Sequence, residues 1–133
     1  MVMLAGLVRW LVVGLTLVLT WLGTGQAAFA QTYQIKMGAD NGMLAFQPAQ
    51  LTIKSGDTVE WLNNKLPPHN VIFSTVPNGD KALAEQLSQR GLVYKVGDSF
   101  SITFGGDLPT GTYTYYCTPH RGAGMQGKII VEG

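Results

Sequence analysis

The chain has one cysteine, Cys117, in 133 residues. No internal disulfide can form, so the fold rests on packing and hydrogen bonds alone. Histidine is almost as scarce, with His69 and His120 the only two. Charge is sparse and nearly balanced: nine Lys plus Arg, eight Asp plus Glu, and a formal net charge of +1. No block of like charge occurs, which excludes the clustered basic footprint that nucleic-acid binding needs. Internal repeats, low-complexity tracts and Gly/Ser/Pro-rich linkers are missing after residue 30. That excludes solenoids, and the length left suits one domain rather than two.

The one extended apolar run lies at the amino end. Arg9 is the only charge among the first thirty residues; the run from Trp10 to Leu22 follows it, and Ala28-Phe29-Ala30 closes the segment. A basic residue, a short apolar stretch and an Ala-x-Ala end are the parts of an export signal. A spanning helix needs roughly 20 apolar residues, and the 13 from Trp10 to Leu22 fall short. Residues 1–30 are therefore expected to be a cleaved signal peptide, cut between Ala30 and Gln31, with one working domain over 31–133. A lone thiol in an exported protein is open to oxidation or cross-linking. Binding a metal as thiolate is one way to protect it.

Within that domain apolar residues alternate with period two. Tyr33, Ile35 and Met37 share one parity, as do Leu51 and Ile53, Val59 and Trp61, and Val71 and Phe73. The same holds for Phe100, Ile102 and Phe104, for Tyr113, Tyr115 and Cys117, and for Ile129 and Val131. Such alternation, rich in β-branched and aromatic residues, predicts half-buried strands. Turn chemistry separates them at Ser55-Gly56-Asp57, Pro77-Asn78-Gly79-Asp80, Gly105-Gly106-Asp107 and Pro109-Thr110-Gly111. Seven or eight short strands of this kind predict an all-β antiparallel sandwich. One short helix is predicted over 81–89, with Asp80 as N-cap, Leu83 and Leu87 four apart on one face, and Gly91 just beyond its end.

Cys117, His120 and Met125 stand within nine residues of one another. Each alone has an ordinary reading: a buried small hydrophobe, a surface histidine, a core filler. Together they offer a thiolate, an imidazole and a thioether, a soft donor set that suits copper. A blue-copper centre takes two His, one Cys and a weak axial Met. His69 is the only histidine left to complete it. Asn70 beside it is either a turn residue or a group that orients a ligand. Pro119 stiffens the loop, and Gly122 and Gly124 permit tight turns. A Cys–His hydrolase would need a thiolate–imidazole pair with an oxyanion hole, and a zinc module would prefer Cys, His and carboxylate ligands. Both leave Met125 without a role. A copper store would show clustered Met or Cys, whereas Met37 and Met43 form no tract.

The run from Tyr115 through Cys117-Thr118-Pro119-His120-Arg121-Gly122-Ala123-Gly124-Met125 resembles the ligand loop of the plastocyanins, in their cyanobacterial form. Asn63-Asn64-Lys65-Leu66-Pro67-Pro68-His69-Asn70 is similar to the first-ligand region of that family, and Leu44-Ala45-Phe46 and Ser55-Gly56-Asp57 also fit. The resemblance covers the whole of 31–133. It implies an eight-stranded Greek-key sandwich and a type 1 copper site with ligands His69, Cys117, His120 and Met125. It also implies a one-electron carrier, not an enzyme, whose copper cycles between Cu(I) and Cu(II). Its partners would be cytochrome f of the cytochrome b6f complex as donor and photosystem I as acceptor. The protein would meet them as a monomer in the thylakoid lumen, on the lumenal side of the membrane.

The family further implies an apolar docking patch around the exposed edge of His120, at Gly42, Leu44, Leu66, Pro68, Gly122 and Ala123. Tyr116 would mark a second, more remote docking region, and its parity, opposite to Cys117, predicts that it points outward. Arg121, the one charge inside the ligand loop, is expected to contact a partner. In one respect the sequence departs from the plant pattern. Where plant members carry acidic runs, only Asp80 and Glu85 stand here, offset by Lys81 and Arg90.

Overall fold

The structure is a computed structural model and describes residues 29–133. The expected signal peptide thus lies outside the described residues, apart from Phe29 and Ala30. In chain order the strands are β1 (Thr32–Met37), β2 (Phe46–Gln47), β3 (Gln50–Lys54), β4 (Thr58–Asn63) and β5 (His69–Thr75), then helix α1 (Lys81–Leu87). They continue with β6 (Gln89–Val93), β7 (Ser99–Thr103), β8 (Gly111–Tyr116) and β9 (Gln126–Glu132). Two sheets form, in the orders β2-β1-β4-β7 and β3-β9-β8-β5-β6.

The period-two residues face each other between these sheets. Ile35, Met37, Val59, Trp61, Phe73, Tyr113, Tyr115, Ile129 and Val131 are all buried there. Trp61 lies at the centre, stacked on Phe100 with ring centroids 5.5 Å apart and meeting Tyr115 edge-on at 5.6 Å. Burying each such side chain contributes about 1.5–3 kcal/mol, which is how a domain without disulfides holds together.

The expected sandwich is present, with two differences in detail. The run from Phe46 to Lys54 changes sheets at Pro48–Ala49, so the expected eight strands become nine. Nor is every pair antiparallel: β1 runs parallel to β4, and β3 parallel to β9. β1 and β4 are separated by two reversals of direction, through β2–β3 and back, and so enter their sheet the same way. Strand β5 breaks the alternation, since Val71, Ile72 and Phe73 are all buried. Helix α1 packs against this strand, with Leu83, Ala84 and Leu87 against the core that holds Val71 and Phe73. Asp80 caps that helix as expected, its Oδ1 accepting from Leu83 N–H at 3.1 Å. The helix ends at Leu87, earlier than expected: Ser88 takes up extended backbone at ψ 131, while its N–H and Oγ–H both donate to the Ala84 carbonyl. Gly91 accordingly falls inside β6.

β5 pairs antiparallel with β8, with Ile72 opposite Tyr116. The start of β5 and the end of β8 therefore meet at one end of the sandwich. That register brings His69 to Cys117.

Candidate metal centre

Cys117 follows directly on β8, and the chain from it to Met125 closes on itself. Cys117 N–H donates to the Met125 carbonyl at 3.1 Å, and Met125 N–H donates to the His120 carbonyl at 3.3 Å. A single 3-10 turn, Arg121–Ala123, spans the gap, and Gly124 ends it at φ +82, a left-handed conformation that favours glycine. Gly122 does not use a positive φ; it lies in the turn itself. Met125 is fully buried and enters β9 beside the start of the loop.

His69, Cys117 and His120 come together. Their ligand atoms all lie within 4.8 Å of one another, and among the described residues no carboxylate joins them. Cys117 Sγ is 3.7 Å from His69 Nδ1 and 3.6 Å from His120 Nδ1. Cys117 and His69 are fully buried, while His120 is partly exposed.

The His69 tautomer follows from its surroundings. Its Nε2 lies 2.5 Å from the Lys65 carbonyl oxygen, which can only accept. Nε2 therefore carries the proton and Nδ1 presents its lone pair toward the sulfur. Burial pushes the His69 pKa down, against the opposing pull of the Lys65 carbonyl. Burial likewise pushes the Cys117 thiol up, opposed by backbone N–H groups of Asn70 and His120 directed at the sulfur. Desolvation thus favours neutral thiol and neutral imidazole in the metal-free chain, the reverse of the thiolate–imidazolium pair a cysteine nucleophile needs.

Asn70 lies in β5, not in a turn. Its Oδ1 accepts from Thr118 N–H at 2.7 Å and its Nδ2 donates to Thr118 Oγ1 at 3.1 Å, and also to the Arg90 carbonyl at 3.2 Å. The side chain thereby ties the His69 segment to the Cys117 loop. Thr118 and the Lys65 carbonyl were not legible as functional groups. Thr118 could have been suspected from its place between two candidate ligands, but a backbone carbonyl leaves no trace in the residue type.

The candidate docking residues lie toward the surface at the same end. Arg121, Gly122 and Ala123 are exposed, and Leu44 and Pro68 half-buried. Leu66 is 52 % exposed and Met43, which the sequence did not single out, 62 %. Leu66 adopts φ +51, which costs a leucine about 1–3 kcal/mol. Backbone bonds fold the loop after β1, with Gly38 N–H donating to Ala45 O and Ala39 N–H to Met43 O. Tyr116 points away from the core, as its parity predicts, and the Arg121 guanidinium lies 4.0 Å over its ring. The loop arginine and the strand tyrosine therefore form one unit.

The donor set fits copper. Two imidazole nitrogens and a thiol sulfur, with a buried thioether in the same closed loop and no carboxylate among the gathered donors, are ligands that hard cations do not favour.

Comparison with known proteins agrees. The family profile described as copper binding proteins, plastocyanin/azurin family, matches residues 33–132. Plastocyanin of Nostoc punctiforme is 54 % identical over 109 residues, covering 80 % of this chain and 78 % of that protein. Plastocyanin of Synechococcus sp. JA-2-3B'a(2-13) is 56 % identical over 106 residues, covering 80 % and 77 %. Among solved structures, oxidised plastocyanin of the fern Dryopteris crassirhizoma superposes with a TM-score of 0.63 at 28 % identity, covering 75 % of this chain and all of that one. A Sinorhizobium pseudoazurin gives 0.54 at 28 %, covering 77 % and 75 %. The chain belongs to the plastocyanin/azurin family of copper-binding proteins, as a one-electron copper carrier and not an enzyme.

Proposed function

We propose that His69, Cys117, His120 and Met125 hold the copper ion, and that the protein takes electrons from cytochrome f and delivers them to photosystem I in the thylakoid lumen. The observation that carries the reading is the position of Cys117 Sγ, buried and within 3.7 Å of both imidazole Nδ1 atoms. When bound, copper would supply a centre that cycles between Cu(I) and Cu(II), and His69, Cys117, His120 and Met125 would hold it in both states. The protein's part is to keep those side chains still. Lys65 fixes the His69 ring, Asn70 and Thr118 lock the two ligand segments together, and the Cys117–Met125 backbone bond closes the loop.

Partners meet the centre from the surface. His120 is the gathered ligand that reaches solvent, and Arg121, Gly122 and Ala123 follow it directly. With Gly42, Leu44, Leu66 and Pro68 they form a small, largely apolar docking patch suited to a brief redox encounter. Arg121, held over Tyr116, adds one oriented charge at its rim. Electron delivery to photo-oxidised photosystem I, followed after a light flash, tests this. Arg121→Gln should slow delivery by up to roughly tenfold and leave the copper spectrum intact. Rates equal to those of the unaltered protein would overturn the role of Arg121, and failure of the unaltered protein to donate would overturn the partner assignment.

The working domain begins at Gln31. Its N–H donates to the buried Asp57 carboxylate at 2.9 Å, and its carbonyl accepts from Thr58 N–H at 2.8 Å. Phe29 is 85 % exposed. Cleavage after Ala30 leaves those bonds available to the new amino terminus. Amino-terminal sequencing of the exported protein should read Gln31 first; a retained Met1 would refute the cleavage.

A further inference from the structure

The His69 ring is oriented by a backbone carbonyl, so whatever fixes that carbonyl acts on the ligand. The peptide of Lys65 lies directly on Gly38, the first residue after β1. A Cβ at Gly38 would stand 2.0 Å from the Lys65 carbonyl oxygen, 2.7 Å from its carbon and 2.9 Å from its nitrogen. The obstacle is backbone on both sides, which cannot turn away as a side chain can. Gly38 is itself buried and at φ +85.

The two segments are bonded as well as packed. Asn64 N–H and Lys65 N–H both donate to the Met37 carbonyl, at 3.0 and 3.2 Å. Asn64 Nδ2 donates to the Gly38 carbonyl at 2.8 Å and to Asp40 Oδ1 at 3.0 Å. The parallel register of β1 and β4, which ends with Met37 opposite Asn63, delivers the two segments side by side.

We propose that Gly38 is a positioning residue for the metal centre. By having no side chain it lets the Lys65 peptide close down on β1. The Lys65 carbonyl then meets His69 Nε2–H and aims Nδ1 at the centre. Any side chain at position 38 lifts that carbonyl away and frees the imidazole to rotate and change tautomer. Gly38 touches neither metal nor ligand; it acts through Lys65. The consequence for copper rests on reading His69 as a ligand, whereas the consequence for the His69 ring does not.

The test compares Gly38→Ala with Gly56→Ala. Gly56 has a similar backbone angle, φ +100, but nothing within 4 Å of the position a Cβ would take. It therefore reports the strain of alanine at positive φ without the collision. The first readout is the His69 Nε2–H proton in the metal-free protein, followed by NMR for chemical shift and exchange with water. The second is the rate at which a chelator strips copper from the loaded protein. In the unaltered chain and in Gly56→Ala the proton should be resolved and slow to exchange. In Gly38→Ala it should merge with water exchange, and copper should be held about 10–100-fold less tightly, the usual cost of losing a ligand's outer partner. An unmoved His69 signal overturns the proposal, and so does a lost signal with copper retention unchanged. Should Gly38→Ala fail to fold, the unaltered protein decides in its place: a His69 Nε2–H that exchanges with water as fast as the ring proton of the partly exposed His120 would show that the Lys65 carbonyl does not hold the ring, and overturns the proposal too. If His69→Gln keeps the full copper spectrum, the ligand assignment is what fails, and the metal-free readout still judges Gly38.

Discussion

Asn70 accepts from Thr118 N–H and donates to Thr118 Oγ1, so one amide joins the segment that carries His69 to the loop that carries Cys117 and His120. The residue is buried, and truncating it leaves the Thr118 N–H and the Arg90 carbonyl without their partner. Asn70→Ala should lower the stability of the metal-free protein by about 1 kcal/mol, the net contribution of part-buried hydrogen bonds lost. Urea unfolding measures it directly, and an unchanged midpoint would show that Asn70 does not tie the segments together. At this scale the side chains of the centre were legible in the sequence, because a lone Cys, two His and a Met near the Cys are rare residue types with specific chemistry. The groups that aim them were not. The Lys65 carbonyl is backbone, and the need for Gly38 arises only when two segments distant in sequence pack together.

At the scale of elements, period two in the sequence predicted the inward faces of β4, β8 and β9, since alternation follows from strand geometry alone. It failed for β5, where Val71, Ile72 and Phe73 are buried in succession, and it could not show that Phe46 to Lys54 changes sheets. Both depend on where distant parts of the chain pack. The pairing of β8 with β9 contains a contact of the same kind: Gly127 lies opposite Tyr115. A Cβ on Gly127 would come within 2.2 Å of Tyr115 Cζ and 2.3 Å of its hydroxyl oxygen. Tyr115 is buried and meets Trp61, Phe46 and Phe73 on its other sides. It therefore cannot move without disturbing the aromatic core. Gly127→Ala should destabilise the protein by about 1–3 kcal/mol through overpacking. A urea midpoint no lower than that of the unaltered protein would mean that the ring can shift at little cost.

For the whole molecule, residues 31–133 carry equal numbers of basic and acidic residues, eight of each. Fields from such a surface largely cancel beyond a Debye length, about 10 Å at 0.1 M salt. Encounter with partners should then depend on apolar contact near His120 more than on steering, and its rate should fall only modestly as salt is added. A steep fall across a salt series would instead reveal a charged docking surface. The sandwich has one structural task in this account, which is to bring the start of β5 and the end of β8 to one place and hold them there. The most direct test of the central claim is the visible spectrum of the purified protein after addition of Cu(II), taken alongside Cys117→Ser. Copper held by the Cys117 thiolate should give an intense blue band that bleaches on reduction and is lost in the serine variant, because the thiolate sulfur supplies the charge transfer. A pale or colourless product, or a blue band that survives in Cys117→Ser, would contradict it.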